Sequence, residues 1–190
     1  MTRRTAPRLL LTAAVALSLA ACGGTDDGSS QAAGSSTPAA SQDCSAQAPT
    51  TEAPEGVSTD LAQRPESPCY TAPAPADLVI SDVVVGTGAE AVAGTDTEVK
   101  YVGAFYETTA DHQSGDEFDA SWDRGDDETL PVTVGAGRVI PGFDQGIEGM
   151  KVGGRRMVTI PSDLGYGPAG QGPSPGGATL VFIIDLVSAG

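Results

Sequence analysis

The chain's one histidine, His112, stands among Asp111, Asp116 and Glu117, the residue types of a metal site. One imidazole among carboxylates of no fixed geometry is weak ground for a metal. The stretch from Glu107 to Glu117 therefore reads as a solvated polar loop, and neither metal nor cofactor is expected. Gly86-Thr87-Gly88-Ala89-Glu90-Ala91 has the outline of a dinucleotide fingerprint after a strand. The residues that follow, Val92 to Thr97, make no amphipathic helix and open no βαβ unit, so this is a turn. Arg124-Gly125-Asp126 spells an adhesion tripeptide and is read as a chance match; an adhesive role would require Asp126. Asp126-Asp127-Glu128 reads as a solvated turn. No Gly-x-Ser-x-Gly elbow and no CxxC or Cys/His metal spacing occurs. No nucleophile, metal cluster or proton shuttle is visible in the sequence, which leaves a pocket between ordered elements as a candidate site.

The elements that could shape such a pocket lie after about residue 77. Phe143, Ile147 and Met150 fall at i, i+4 and i+7, one face of a helix. Pro141 suits its first turn, and Gly153-Gly154 is expected to stop it. Gly146 and Gly149 each weaken a helix by roughly 1 kcal/mol relative to alanine, so so short a helix needs a sheet to cover its apolar face. Leu78–Val85, Glu98–Tyr106, Leu130–Val134, Arg155–Pro161 and Ala178–Val187 read as strands, with Phe118–Arg124 a further ordered piece. The expected fold class is α+β: an antiparallel half-barrel sheet wrapped around one short helix.

Ahead of this domain the composition changes. Arg3, Arg4 and Arg8 precede an apolar run from Leu9 to Ala21, too short to span a bilayer comfortably. Leu19-Ala20-Ala21-Cys22 resembles the bacterial lipobox, which implies a signal peptide at 1–21 and lipidation of Cys22; an ordinary signal peptide is the alternative. Removing that segment leaves 7 basic against 25 acidic residues, a net charge of −18. Such a chain is a poor ligand for nucleic acid or for anionic lipid through a basic patch. Residues 22–76, rich in Gly, Ser, Ala, Thr and Pro, read as a tether. Cys44 and Cys69 are then the remaining cysteines, and a disulfide between them is expected outside the cytoplasm, holding a small ordered piece around Leu61 and Tyr70 against the domain. Free thiols or intermolecular pairing are the alternatives. The expected location is the extracytoplasmic side of the cell membrane, held by the lipid alone.

Six stretches of residues 77–190 now resemble one family in its own order, the FKBP-type peptidyl-prolyl cis-trans isomerases. They are Val99-Lys100-Tyr101-Val102-Gly103, Phe118-Asp119-Ala120-Ser121, Val139 through Gly146, Met150-Lys151-Val152-Gly153-Gly154, Ile160 through Gly167, and Ala178-Thr179-Leu180-Val181-Phe182. The resemblance implies an isomerase domain over 77–190 with a pocket between sheet and helix. It implies that Tyr101, Phe118 and Phe182 are aromatic walls. Phe143 stands at the floor, where the family commonly has tryptophan. Val139 and Ile140 would form the lip, the Ile140 N–H donating to substrate. Asp119 would be the pocket carboxylate with Arg124 as its partner, and the Tyr166 hydroxyl would reach the substrate carbonyl. The loop before Phe118 is longer and more acidic than usual, and Ser174 replaces a bulky apolar residue.

These residues suit the implied reaction. Rotation about an X–Pro bond breaks amide resonance and faces a barrier of about 20 kcal/mol. The twisted amide has lost charge separation, so an apolar pocket favours it over the planar form. The implied partners are proline-containing unfolded or secreted polypeptides and macrolides of the rapamycin class, and a monomer is the expected form. The alternative function is a holdase chaperone or proline-peptide binding module without significant turnover.

Overall fold

The computed structural model describes residues 44–125 and 127–190. Six strands and one α-helix follow one another: β1 (Val79–Val84), β2 (Asp96–Phe105), β3 (Glu117–Ala120), β4 (Leu130–Thr133), α1 (Pro141–Ile147), β5 (Arg155–Ile160) and β6 (Leu180–Ala189). All pairings are antiparallel, in the order β1-β5-β6-β2-β3, with β4 also paired to β2. The long β2 thus has three partners: its first half holds β4, its second half holds β3, and β6 runs along its other edge. The expected α+β plan, a sheet curled around one helix without closing, is the observed one.

Strand alternation puts Val99, Tyr101 and Phe105 of β2 on the same face as Leu180, Phe182, Ile184 and Leu186 of β6. These residues pack with Phe143 and Ile147 of α1, and with Met150 just beyond it, in the main core. The helix lies close because Gly142 and Gly146 carry no side chain where it meets β5. A Cβ on Gly146 would sit 2.7 Å from Val158 Cγ2, and one on Gly142 would run into Ile160. The helix is shorter than its apolar spacing predicts. It ends at Ile147, and Gly149 adopts φ +76°, ending the helix ahead of the Gly153-Gly154 pair. Arg156 fastens that end, donating to the Gly146 and Glu148 carbonyls at 3.0 Å each while pairing with Asp82 of β1 at 2.7 Å.

The other face of the sheet is also covered. Residues 44–76, whose composition reads as tether, lie against it from Cys44 onward. Cys44 and Cys69 form a disulfide, and Ser45 bridges to Tyr70. Val57 and Tyr70 join Tyr106, Met157, Val181 and Ile183 in a second core. Tyr70 stacks on Tyr106 with ring centroids 4.8 Å apart. The fully buried Arg155 pairs through two nitrogens with Asp185, at 2.6 Å each. Its remaining N–H groups donate to the Ser58, Asp60 and Gln63 carbonyls at 2.6, 3.3 and 3.0 Å. The outer segment is therefore held by a disulfide, a tyrosine stack and one buried cation. Among the described residues no helix is long and apolar enough to cross a membrane. Cys22 and the apolar run before it lie outside the described residues.

Candidate active site

Between sheet and helix lies a cavity of about 390 Å³. Tyr101 from β2, Phe182 from β6 and Phe143 from α1 supply its rings, with Asp119, Val139, Ile140, Tyr166, Leu130, Arg138 and Gln171 completing the lining. Gly103 pairs with Phe182 across the β2–β6 ladder and with Asp119 across the β2–β3 ladder. That register delivers a ring and a carboxylate from strands on either side of β2. Gly103 must be a glycine here, because a Cβ would meet Phe182 Cε1 at 2.7 Å and Phe118 Cζ at 2.9 Å.

The rings meet edge to face, the favoured arrangement for aromatic quadrupoles. Phe143 packs on Tyr101 at 5.8 Å and on Phe182 at 5.1 Å between centroids, near 85° and 83°. Phe118 stands one layer back, edge-on to Phe182 at 5.6 Å and against Phe105 at 5.0 Å. It supports a wall ring without lining the cavity, which refines its expected place.

One side of the cavity is polar. The Tyr101 phenol donates to Asp119 at 2.5 Å. Arg124 donates to the other Asp119 oxygen at 3.1 Å and to the Tyr101 oxygen at 3.1 Å. Arg124 comes from a 3-10 turn over Ser121–Arg124, which begins where β3 ends. The buried Ser121 hydroxyl takes over the lost ladder contact by accepting the Tyr101 N–H at 2.9 Å. Burial first, then the bond to Asp119, pushes the Tyr101 phenol above the usual tyrosine range, with Arg124 pulling the other way. Its hydrogen bond to Tyr101, more than any other contact, holds Arg124 charged.

The Ile140 N–H and the Tyr166 hydroxyl are free to donate into the cavity. The Ile140 carbonyl accepts the Phe143 and Asp144 N–H groups that start α1, while the Ile140 N–H has no partner among the described residues. The half-buried Tyr166 follows a 3-10 turn after β5, and its hydroxyl is likewise unpartnered there. Burial, then the charge of Asp119, raises the Tyr166 phenol, so it stays a donor at neutral pH.

Other candidates fall elsewhere. His112 is not solvated, as its loop composition suggests. It is 9% exposed, its ring 3.8 Å from that of Phe105, with Nδ1 3.0 Å from Thr109 Oγ1. Packing against an aromatic wins over solvation because short hydrogen bonds within 108–116 fold the loop back on itself. Among the described residues no three His, Cys, Asp or Glu side chains could together hold a metal. Arg124 of the Arg-Gly-Asp triplet is committed to Asp119 and Tyr101, and Asp126 lies outside the described residues. Ser174 is buried but does not line the cavity. Leu130, Arg138 and Gln171 line the cavity without having been singled out. Arg138 had a signal, since it directly precedes the lip residue Val139.

Comparison with known proteins agrees with this geometry. The model of FKBP-type peptidyl-prolyl cis-trans isomerases matches residues 88–187. A probable FK506-binding protein of Corynebacterium glutamicum is 51% identical over 127 residues, covering 67% of this chain and 99% of that one. An FK506-binding protein of Streptomyces anulatus is 50% identical over 116 residues, 60% of this chain and 87% of that one. Among solved structures, AtFKBP13 has a TM-score of 0.52 at 35% identity over 62% of this chain and 96% of its own. FkpA from Escherichia coli has a TM-score of 0.51 at 30% identity, over 72% of this chain and 52% of its own. The chain belongs to the FKBP-type peptidyl-prolyl cis-trans isomerase family and is an enzyme of that activity.

Proposed function

We propose that the chain is a lipid-anchored isomerase that assists the folding of secreted or envelope proteins from the extracytoplasmic side of the membrane. The reading of the site rests on one observation: two uncommitted donors, the Ile140 N–H and the Tyr166 hydroxyl, border a cavity floored by three rings. The substrate proline would sit against Tyr101, Phe143 and Phe182, with Phe118 bracing Phe182 from behind. Val139 and Ile140 would form the lip. Both donors would hold substrate carbonyls and leave the reacting amide to twist in apolar surroundings. Asp119, fixed by Arg124, would act through its charge and by orienting Tyr101; it takes no proton. About 5 kcal/mol of preference for the twisted amide accelerates rotation more than a thousandfold.

Residues 1–21 would be a signal peptide, Cys22 the lipidated N-terminus, and 22–76 the lead into an isomerase domain at 77–190. The lead is packed on the sheet from Cys44 onward. The names of the relatives suggest that a macrolide of the FK506 and rapamycin class would occupy the same cavity and inhibit turnover. The expected form remains a monomer.

The test is protease-coupled isomerisation of a Leu-Pro peptide by the full chain. Losing one hydrogen bond of about 0.5–1.5 kcal/mol should cost Tyr166→Phe about two- to tenfold in kcat/KM. Unchanged turnover in both Tyr166→Phe and Asp119→Ala would sink the assigned roles. Retention of Cys22→Ser in the membrane fraction would sink the anchor.

A further inference from the structure

We propose that Arg138 makes this enzyme favour client segments that carry an acidic side chain within a few residues of the proline. The proposal rests on the isomerase reading and adds a substrate class to it.

Arg138 is exposed and lines the cavity beside the lip. Of the described arginines, Arg64, Arg124, Arg155 and Arg156 each pair with a carboxylate. Arg138 pairs with none, in a chain of 25 acidic residues. The nearby acids are occupied by other donors. Asp119 takes Tyr101 and Arg124. Asp96 and Glu98, which share a neighbouring hollow with Arg138, accept the Thr133 and Thr129 hydroxyls. Asp144 accepts the Gly135 and Gly137 N–H groups at 2.7 and 3.1 Å.

That last contact also fixes where Arg138 stands. It ties the turn before Arg138 to the helix that carries Phe143, so the Arg138 backbone is fixed beside the cavity. Among the described residues no salt bridge engages its fork of donors, which matches a carboxylate in two-point geometry. The domain's negative charge repels an acidic client at a distance. Beyond about 8 Å that repulsion is screened at physiological salt, and at the cavity lip Arg138 offers a cation outside any salt bridge among the described residues.

The experiment measures kcat/KM of the full chain for proline peptides carrying Glu, Gln or Lys either immediately before the proline or two residues after it. An exposed ion pair of about 0.2–1 kcal/mol corresponds to about 1.5- to 5-fold. Wild type should favour Glu over Gln by that factor in at least one series. Arg138→Gln should abolish the preference, Arg138→Glu should reverse it toward Lys, and Arg138→Lys should retain part of it. The preference should shrink between about 20 mM and 0.5 M salt, as the Debye length falls. Turnover with a Glu-to-Gln ratio that is the same in wild type and Arg138→Gln overturns this proposal alone. No turnover of any peptide by wild type overturns the isomerase reading, and this proposal with it.

Discussion

Asp185→Ala should be among the most damaging single substitutions outside the cavity. Its carboxylate is 7% exposed and meets the wholly buried Arg155 through two contacts of 2.6 Å. Burial raises the Asp185 carboxyl above the ordinary aspartate range, and Arg155 opposes that rise. Removing the carboxylate strands a guanidinium in the outer core, a change that typically costs about 3–5 kcal/mol. A domain of this size is stable by about 5–15 kcal/mol in all, so about a fifth or more of the total would go. Arg155→Met should act differently. It releases the Ser58, Asp60 and Gln63 carbonyls, while Asp185 can limit its own cost by protonating. The first variant should mainly lower global stability; the second should mainly loosen residues 58–63. Urea unfolding of the full chain reads the first effect, and hydrogen exchange of the 58–63 amides reads the second. The double variant Arg155→Met/Asp185→Leu should regain most of the stability lost in Asp185→Ala while leaving 58–63 in fast exchange. A loss below about 1 kcal/mol in Asp185→Ala would refute the reasoning, because no well-buried pair breaks so cheaply.

Two further outcomes are expected. Gly103→Ala forces a methyl between Phe182 and Phe118, so it should cost about 1–3 kcal/mol of stability and lower kcat/KM for a Leu-Pro peptide more than it changes the overall fold by circular dichroism. Tyr70 is held by burial, and secondarily by Tyr106, at a pKa of about 12 against an ordinary 10.0. The unfolded chain releases this proton first, so the Tyr70 contribution is complete below pH 10 and is lost as pH rises toward about 12. Urea melts across that range should show the decline, and Tyr70→Phe should flatten it; an equal decline in both would assign it to other groups.

The inner half of the molecule was readable because it obeys short periods. Two-residue alternation in β2 and β6 aims Tyr101 and Phe182 at one core, and the four-residue step from Phe143 to Ile147 aims the helix at the same place. The outer half hides behind composition. Residues 44–76 contribute Val57, Cys69 and Tyr70 as buried apolar anchors, too few to stand out among prolines, serines and acids. What holds the segment is Arg155, more than 90 positions away from the carbonyls it meets. Backbone carbonyls leave no mark in a sequence, and consecutive Arg155-Arg156 look like a solvated strand start when each in fact serves a different face. The cavity shows the same division. Its rings and its Asp119–Arg124 pair follow from the family's motifs, whereas Leu130 at the start of β4, and Arg138 and Gln171 in two separate connections, reach it only through the path of the chain. His112 escaped notice as a packed residue because its aromatic neighbour, Phe105, belongs to the preceding strand.

The covered outer face bears on how the enzyme meets its clients. Cys44, where the described chain begins, is fixed behind the sheet, whereas the ring-lined hollow lies on the helix side. The Cys44–Cys69 disulfide and the second core thus occupy the rear of the domain, away from the entrance. No residue of 44–76 lines the hollow, so a long polypeptide can thread across the front without displacing the segment packed behind it.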